Sequence, residues 1–136
     1  MTLIEYIREL IKTCPLLEGD RINVDFLDAE HGAYSVNTSP ASPIVRKYVW
    51  GSLRQFVFTF TSNYWYGAEI RQNLDNVGFF QSFTEWLENV ELPEGLPSDQ
   101  EPVSMEVLSS GYAFMTDEDA GRYQIECRLV YKQKGY

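Results

Sequence analysis

The sequence predicts an α+β domain: a mostly antiparallel sheet built from hairpins, with an N-terminal helix and a central helical segment packed on one face. Three observations predict it. Apolar residues recur at helical spacing near the start and middle of the chain, they alternate in several other stretches, and turn residues punctuate the alternation. At 136 residues the chain is long enough for one core and too short for two, so 1–136 read as a single domain.

The first element is a helix over 3–14. Leu3, Ile4, Ile7, Leu10, Ile11 and Cys14 form one stripe, Thr2 can cap its start with Glu5 three residues on, and Pro15 follows its end. Ile22, Val24 and Phe26 alternate with polar residues, and Tyr34 and Val36 alternate again after a Gly-containing loop, which predicts a hairpin. The segment Ser39-Pro40-Ala41-Ser42-Pro43 is a connector, because proline cannot donate to a ladder.

Residues 44–50 and 53–62 read as strands with Gly51-Ser52 as their turn. The second places Phe56, Phe58 and Phe60 on one face, and is the expected central strand. Helical spacing returns across 66–90, with Gly78 inside it. A mid-helix glycine costs about 1 kcal/mol against alanine, so two helical pieces are expected. The Pro-rich, acidic stretch 91–102 is a solvated loop, 103–115 a strand, 117–121 a turn, and 122–132 the clearest strand of all. In that last strand Tyr123, Ile125, Cys127, Leu129 and Tyr131 occupy one face.

With 44% hydrophobic and 15% aromatic residues, the chain has ample apolar mass to bury, which excludes disorder of the whole. Twenty acids against eleven bases leave a formal net charge of −9, which repels phosphate backbones and anionic headgroups. Nucleic-acid binding and membrane docking are therefore not expected. Residues 1–9 interleave charge with apolar side chains, unlike a secretory signal, and no apolar run approaches the ~20 residues of a bilayer span. The expectation is a soluble protein. Cys14 and Cys127 are remote from each other and read as two reduced thiols at apolar positions of an intracellular protein.

Little in the sequence points to catalysis, a metal or a cofactor. The one histidine, His31, has Asp28 and Ser35 as conceivable partners, with no motif joining them. No metal-ligand spacing and no glycine-rich phosphate loop is present: Gly67, Gly78, Gly95 and Gly111 stand singly. The expectation is a non-enzyme. Arg46, Lys47 and Arg54 are the densest basic group, read as sheet-surface cations. The aromatic group Tyr48, Trp50, Tyr64, Trp65 and Tyr66 is either core or the anchor of a protein contact, since Trp and Tyr are enriched at interface centres. A second group, Glu91, Glu94, Asp99, Glu101, Asp117, Glu118 and Asp119, is an expected acidic surface.

Several stretches together carry a resemblance. They include Arg21-Ile22-Asn23-Val24-Asp25-Phe26-Leu27, Tyr34-Ser35-Val36, Pro43-Ile44-Val45 and Arg54-Gln55-Phe56-Val57-Phe58. They continue in Tyr66-Gly67-Ala68-Glu69-Ile70, Gln72-Asn73-Leu74-Asp75-Asn76, Gly78-Phe79-Phe80, Phe83-Thr84-Glu85-Trp86-Leu87-Glu88 and Arg122-Tyr123-Gln124-Ile125-Glu126-Cys127-Arg128-Leu129. The pattern resembles the small minor structural proteins of the head–tail and tail modules of Gram-positive phages and prophages, and in size and element order is similar to tail-terminator proteins. The resemblance implies virion assembly without catalysis: a ring, typically hexameric, that caps the tail tube and meets the head connector. It places the chain in the virion when assembled and in the host cytoplasm before. An acidic lumen along which DNA slides without sticking would suit such a ring. A second expectation from the charge is an acidic DNA mimic that occupies a host protein, although Arg122, Arg128 and Lys132 interrupt the best strand.

Overall fold

The computed structural model describes residues 1–15, 22–24, 33–65, 70–109, 112–116 and 120–135, with side chains at 1–15, 34–62, 78–109 and 124–135. Helix α1 spans Leu3–Lys12. Its start is closed as the sequence predicts: Thr2 Oγ1 accepts the Glu5 N–H at 3.2 Å and donates to the Glu5 carboxylate at 3.0 Å. Tyr6, Ile7, Leu10 and Ile11 are buried along it, and Cys14 just beyond it is buried too. Tyr6 lies outside the expected stripe. Its hydroxyl accounts for its burial, donating to the Pro93 carbonyl at 2.7 Å and so pinning the helix to the 91–99 loop.

The strands are β1 (Ile22–Val24), β2 (Ala33–Thr38), β3 (Ile44–Tyr48), β4 (Gly51–Trp65), β5 (Gln100–Val107), β6 (Tyr112–Thr116) and β7 (Ala120–Lys134). They form one sheet in the order β1-β2-β4-β7-β5, with β3 also on β4 and β6 also on β7. Its spine is the antiparallel pair β4 and β7, in register over all fifteen residues of each. Because β7 occupies one side of β4 throughout, β2 and β3 share the other side. Likewise β5 and β6 share the outer side of β7. The sheet is thus two long, interrupted hairpins joined through their unbroken arms.

Four expectations are corrected. First, β1 and β2 pair in parallel, Ile22 opposite Tyr34 and Val24 opposite Val36, and are not a hairpin. Two-residue alternation marks a strand whichever way its neighbour runs, so the pattern carries no direction. Second, the turn between β3 and β4 is Val49-Trp50, with Tyr48 opposite Gly51, so the expected Gly51-Ser52 turn is instead the start of β4. Gly51 has φ +149°, and a Cβ there would collide with the Gln133 carbonyl, so its glycine serves a close approach to β7.

Third, the central helix α2 runs unbroken over Ile70–Asn89, straight through Gly78. The loss at one glycine is outweighed by the packing of Phe80, Phe83 and Leu87, all buried in the core. Fourth, the strand expected over 103–115 is two, β5 and β6. The break has a local cause: the Leu108 and Ser109 N–H groups both donate to the Glu126 carbonyl, at 2.7 and 3.3 Å. The Ser109 hydroxyl takes the Glu126 N–H at 3.1 Å in place of a ladder bond. The rest of the expected architecture holds: an α+β domain, mostly antiparallel, with one helix at the N-terminus and one in the middle.

The core lies between the helices and one face of the sheet. Phe58 and Phe60 of β4 stand opposite Cys127 and Ile125 of β7, with Val36 of β2 and Leu129 of β7 beside them. A stack of rings ties the layers together. Phe60 stacks on Tyr34 of β2 at 5.5 Å and on Phe83 of α2 at 4.5 Å.

Both cysteines are free and buried. Burial, then the charges of Glu126 and Glu88, push the Cys127 thiol far above its ordinary value, and burial raises the Tyr6 and Tyr131 hydroxyls as well. A raised value means that the folded state holds its proton where the unfolded chain releases it. The associated stability is complete below the ordinary thiol range and is lost as pH rises through it. The unfolding free energy from urea titrations is therefore expected to stay level up to about pH 8 and to fall above about pH 9, by up to about 1.4 kcal/mol per pH unit for one thiol. The decline should steepen near pH 10 as the tyrosines join. Cys127→Val should remove the first part of the decline; an unchanged profile in that variant would assign it elsewhere.

Candidate functional site

The face of the sheet turned away from the helices is polar along most of its length. Arg128 of β7 is held by both carboxylate oxygens of Glu106, at 3.1 and 3.2 Å, and donates to Gln55 Oε1 at 2.9 Å. Further along, Asn37 Nδ2 donates to Thr61 Oγ1 at 3.1 Å, and the Ser35 hydroxyl donates to Asn37 Oδ1 at 2.7 Å. These bonds form two groups, one joining β5, β7 and β4 and the other joining β2 and β4, in which the named polar side chains find partners within the sheet.

The end of the sheet at the β3–β4 turn is different. Tyr48 and Trp50 stack in near-parallel planes, with ring centres 4.9 Å apart and 9° between them, yet remain 41% and 42% exposed. Val49 between them is 93% exposed. The Arg46 guanidinium lies 5.8 Å from the centre of the Tyr48 ring, and Lys132 Nζ lies 5.9 Å from that of Trp50. A row across the sheet sets this arrangement, because Arg46 pairs with Leu53, Leu53 with Lys132 and Lys132 with Glu101. Lys134 lies opposite Gly51, and its N–H bonds to the Asp99 carbonyl at 2.7 Å. A cleft of about 480 Å³ opens here, lined by Trp50, Glu101, Lys132, Lys134 and Gly135.

The five aromatic residues grouped by the sequence do not form one cluster. Tyr48 and Trp50 flank the start of β4, whereas Tyr64 and Trp65 lie at its far end, opposite Gly121 and Ala120. Fourteen strand steps of about 3.3 Å separate those ends by about 46 Å. For Tyr48 and Trp50, the choice between core and surface is decided in favour of the surface. The side chains of Tyr64 and Trp65, and the whole of Tyr66, lie outside the described residues.

Of the expected acidic surface, Glu91, Glu94, Asp99 and Glu101 are all exposed; Asp117, Glu118 and Asp119 lie outside the described residues. The loop carrying the first three is anchored rather than loose. Leu92 and Leu96 pack on the core, Pro93 accepts from Tyr6, and Gln133 Nε2 donates to Asp99 Oδ2 at 2.8 Å. It enters β5 at the same end of the sheet as the Tyr48–Trp50 stack.

Of the histidine reading, His31 and Asp28 lie outside the described residues, and Ser35 is buried with its hydroxyl committed to Asn37. Among the described residues, no group of three or more His, Cys, Asp or Glu is placed to hold a metal ion. No described helix is long and apolar enough to cross a membrane. The grouping of Arg46, Lys47 and Arg54 along the sequence misses Lys132 and Lys134, which share the face of Arg46 but not that of Lys47. No local signal could have found them, since only the pairing of β3 with β4 and of β4 with β7 brings the two segments together.

Comparison of the chain with protein-family models, with curated proteins and with solved structures finds no match.

Proposed function

We propose that the chain is a non-enzymatic virion assembly protein of a phage or prophage, of the tail-terminator, tail-completion or neck type, that works as a self-associating ring at the head–tail junction. One observation carries the self-association part of this reading. β3 is an edge strand whose described partner is β4 alone, and all five of its residues are exposed. Arg46, Lys47 and the register shift between Ile44 and Arg46 blunt strand addition along this edge, so a contact here would be made by side chains, chiefly the exposed stacked aromatics. The placement at a head–tail junction is supported by the sequence resemblance alone. Function in this reading is physical: a subunit whose contact passes from one copy to the next closes a ring, which then offers one face to the tube and the other to the connector. The subunit would act in the host cytoplasm before assembly and in the virion afterwards.

The test is the state of the purified chain by sedimentation velocity and negative-stain electron microscopy, alone and with a phage tail-tube protein. A closed ring is the expected result, with tube ends capped on mixing. A strict monomer at high concentration, with and without tube protein, overturns the reading.

A further inference from the structure

We infer that the cleft beside Trp50 binds a nucleoside monophosphate, with the base on the free face of the indole and the phosphate between Lys132 and Lys134. The inference goes beyond the ring proposed above and does not depend on it.

Three chemistries meet in the cleft, and strand register puts them there. Lys132 and Lys134 lie two residues apart on β7 and so share a face, about 6.6 Å apart along the strand, and Glu101 of β5 is opposite Lys132. Trp50 comes from the turn between β3 and β4, where its carbonyl accepts the Gly135 N–H at 3.3 Å. Its ring is stacked on Tyr48, which does not line the cleft, so the cleft lies against the indole face that the stack leaves free. That wall is held in place before any ligand arrives, which lowers the ordering cost of binding. The volume of about 480 Å³ is within the range of small-molecule sites, about 300–1,000 Å³.

The cleft also holds charge that the fold leaves unmatched. Arg128, on the same face of β7, is clasped by Glu106 and Gln55. By contrast, Lys132 and Lys134 form no ion pair among the described residues, although Glu101 is the register partner of Lys132. Lys132 Nζ lies instead 5.9 Å from the centre of the Trp50 ring, on a flexible stem that can turn from the ring to an anion. Two ammonium groups beside a flat aromatic wall fit a ligand that joins a phosphate to a planar ring. The exposed Glu101 carboxylate adds an acceptor for the hydroxyl or amino groups of a nucleoside. The same carboxylate and the net charge of −9 act against a longer strand. Repulsion grows with the number of phosphates, so a single nucleotide is favoured over a nucleic acid.

The test is isothermal titration calorimetry of the purified chain at low salt with adenosine monophosphate, adenosine, inorganic phosphate, phenyl phosphate and a short oligothymidylate. Adenosine monophosphate should saturate, and adenosine and inorganic phosphate should each bind at least about tenfold more weakly. Trp50→Leu and the double variant K132Q/K134Q should each weaken binding at least about tenfold, with circular dichroism as the check that these exposed positions leave the fold intact. Raised salt should weaken binding to the wild type. Adenosine monophosphate should also bind more tightly than phenyl phosphate, which lacks the nucleoside donors, and should lose that advantage in Glu101→Ala. Trp50 belongs to the surface proposed for self-association as well, so the titration is run on both the dilute monomer and the assembled state. Absence of saturable binding below about 10 mM in either state overturns the site and leaves the ring reading standing. Adenosine monophosphate held no more tightly than inorganic phosphate overturns it in favour of a simple anion. An oligothymidylate held more than about tenfold tighter than the nucleotide overturns it in favour of a strand.

Discussion

Phe60→Ala is expected to lower the folding stability by about 3–5 kcal/mol, the range for emptying a fully buried phenylalanine site. The ring is fully buried, stands opposite Val36 on one side and Ile125 on the other, and stacks on Tyr34 and Phe83. Its removal takes away both the apolar transfer term and the contact that couples the sheet to α2. The cavity would be lined by rings that cannot collapse inward without leaving their own rotamers. A domain of this size is stable by about 5–15 kcal/mol, so the loss is about a fifth of the total or more. Urea unfolding followed by far-UV circular dichroism measures it, and near-UV signal should be lost at lower urea than in the wild type. A cost below about 1 kcal/mol would mean that the ring stack does not hold the layers together.

Gly51→Ala is expected to cost about 3 kcal/mol, although it adds one methyl group at the half-buried start of β4. At φ +149° an L residue is strained by about 1–3 kcal/mol, and here the new Cβ also meets the Gln133 carbonyl, a backbone atom that cannot move without disturbing the β4–β7 register. Gly78 is the control. Gly78 lies in α2 with nothing near its missing Cβ, so Gly78→Ala should stabilise the protein by up to about 1 kcal/mol. The same substitution is thus expected to act with opposite sign at two positions. Chemical denaturation of both variants decides it, and a Gly51→Ala variant as stable as the wild type would remove the close approach from the account of the turn.

Gly51 and Gly78 also show where sequence reading reaches its limit. Along the sequence, Gly51 predicts a turn and Gly78 a helix break, because glycine permits both. In the structure Gly51 begins the longest strand pair and Gly78 lies within one helix. Composition tells what the backbone can adopt locally; packing chooses among the options. The same holds for the aromatic group. Tyr48, Trp50, Tyr64 and Trp65 look like neighbours when read along the chain, and a fully extended strand sets the two pairs at opposite ends of the sheet.

The class of the fold and the inward faces of its clearest elements are legible along the chain: the capped helix at Leu3, the Phe58 and Phe60 face of β4, and the Ile125, Cys127 and Leu129 face of β7. These follow from periods of 3.6 and 2 residues, which are properties of a single segment. The tertiary structure alone decided the parallel pairing of β1 with β2, the split of β5 from β6, and the meeting of Arg46 and Tyr48 with Trp50 and Lys132 at one end of the sheet. Strand direction, register and the grouping of surface charge depend on pairs of residues up to eighty-six positions apart, as Arg46 and Lys132 are, and no local period carries that information.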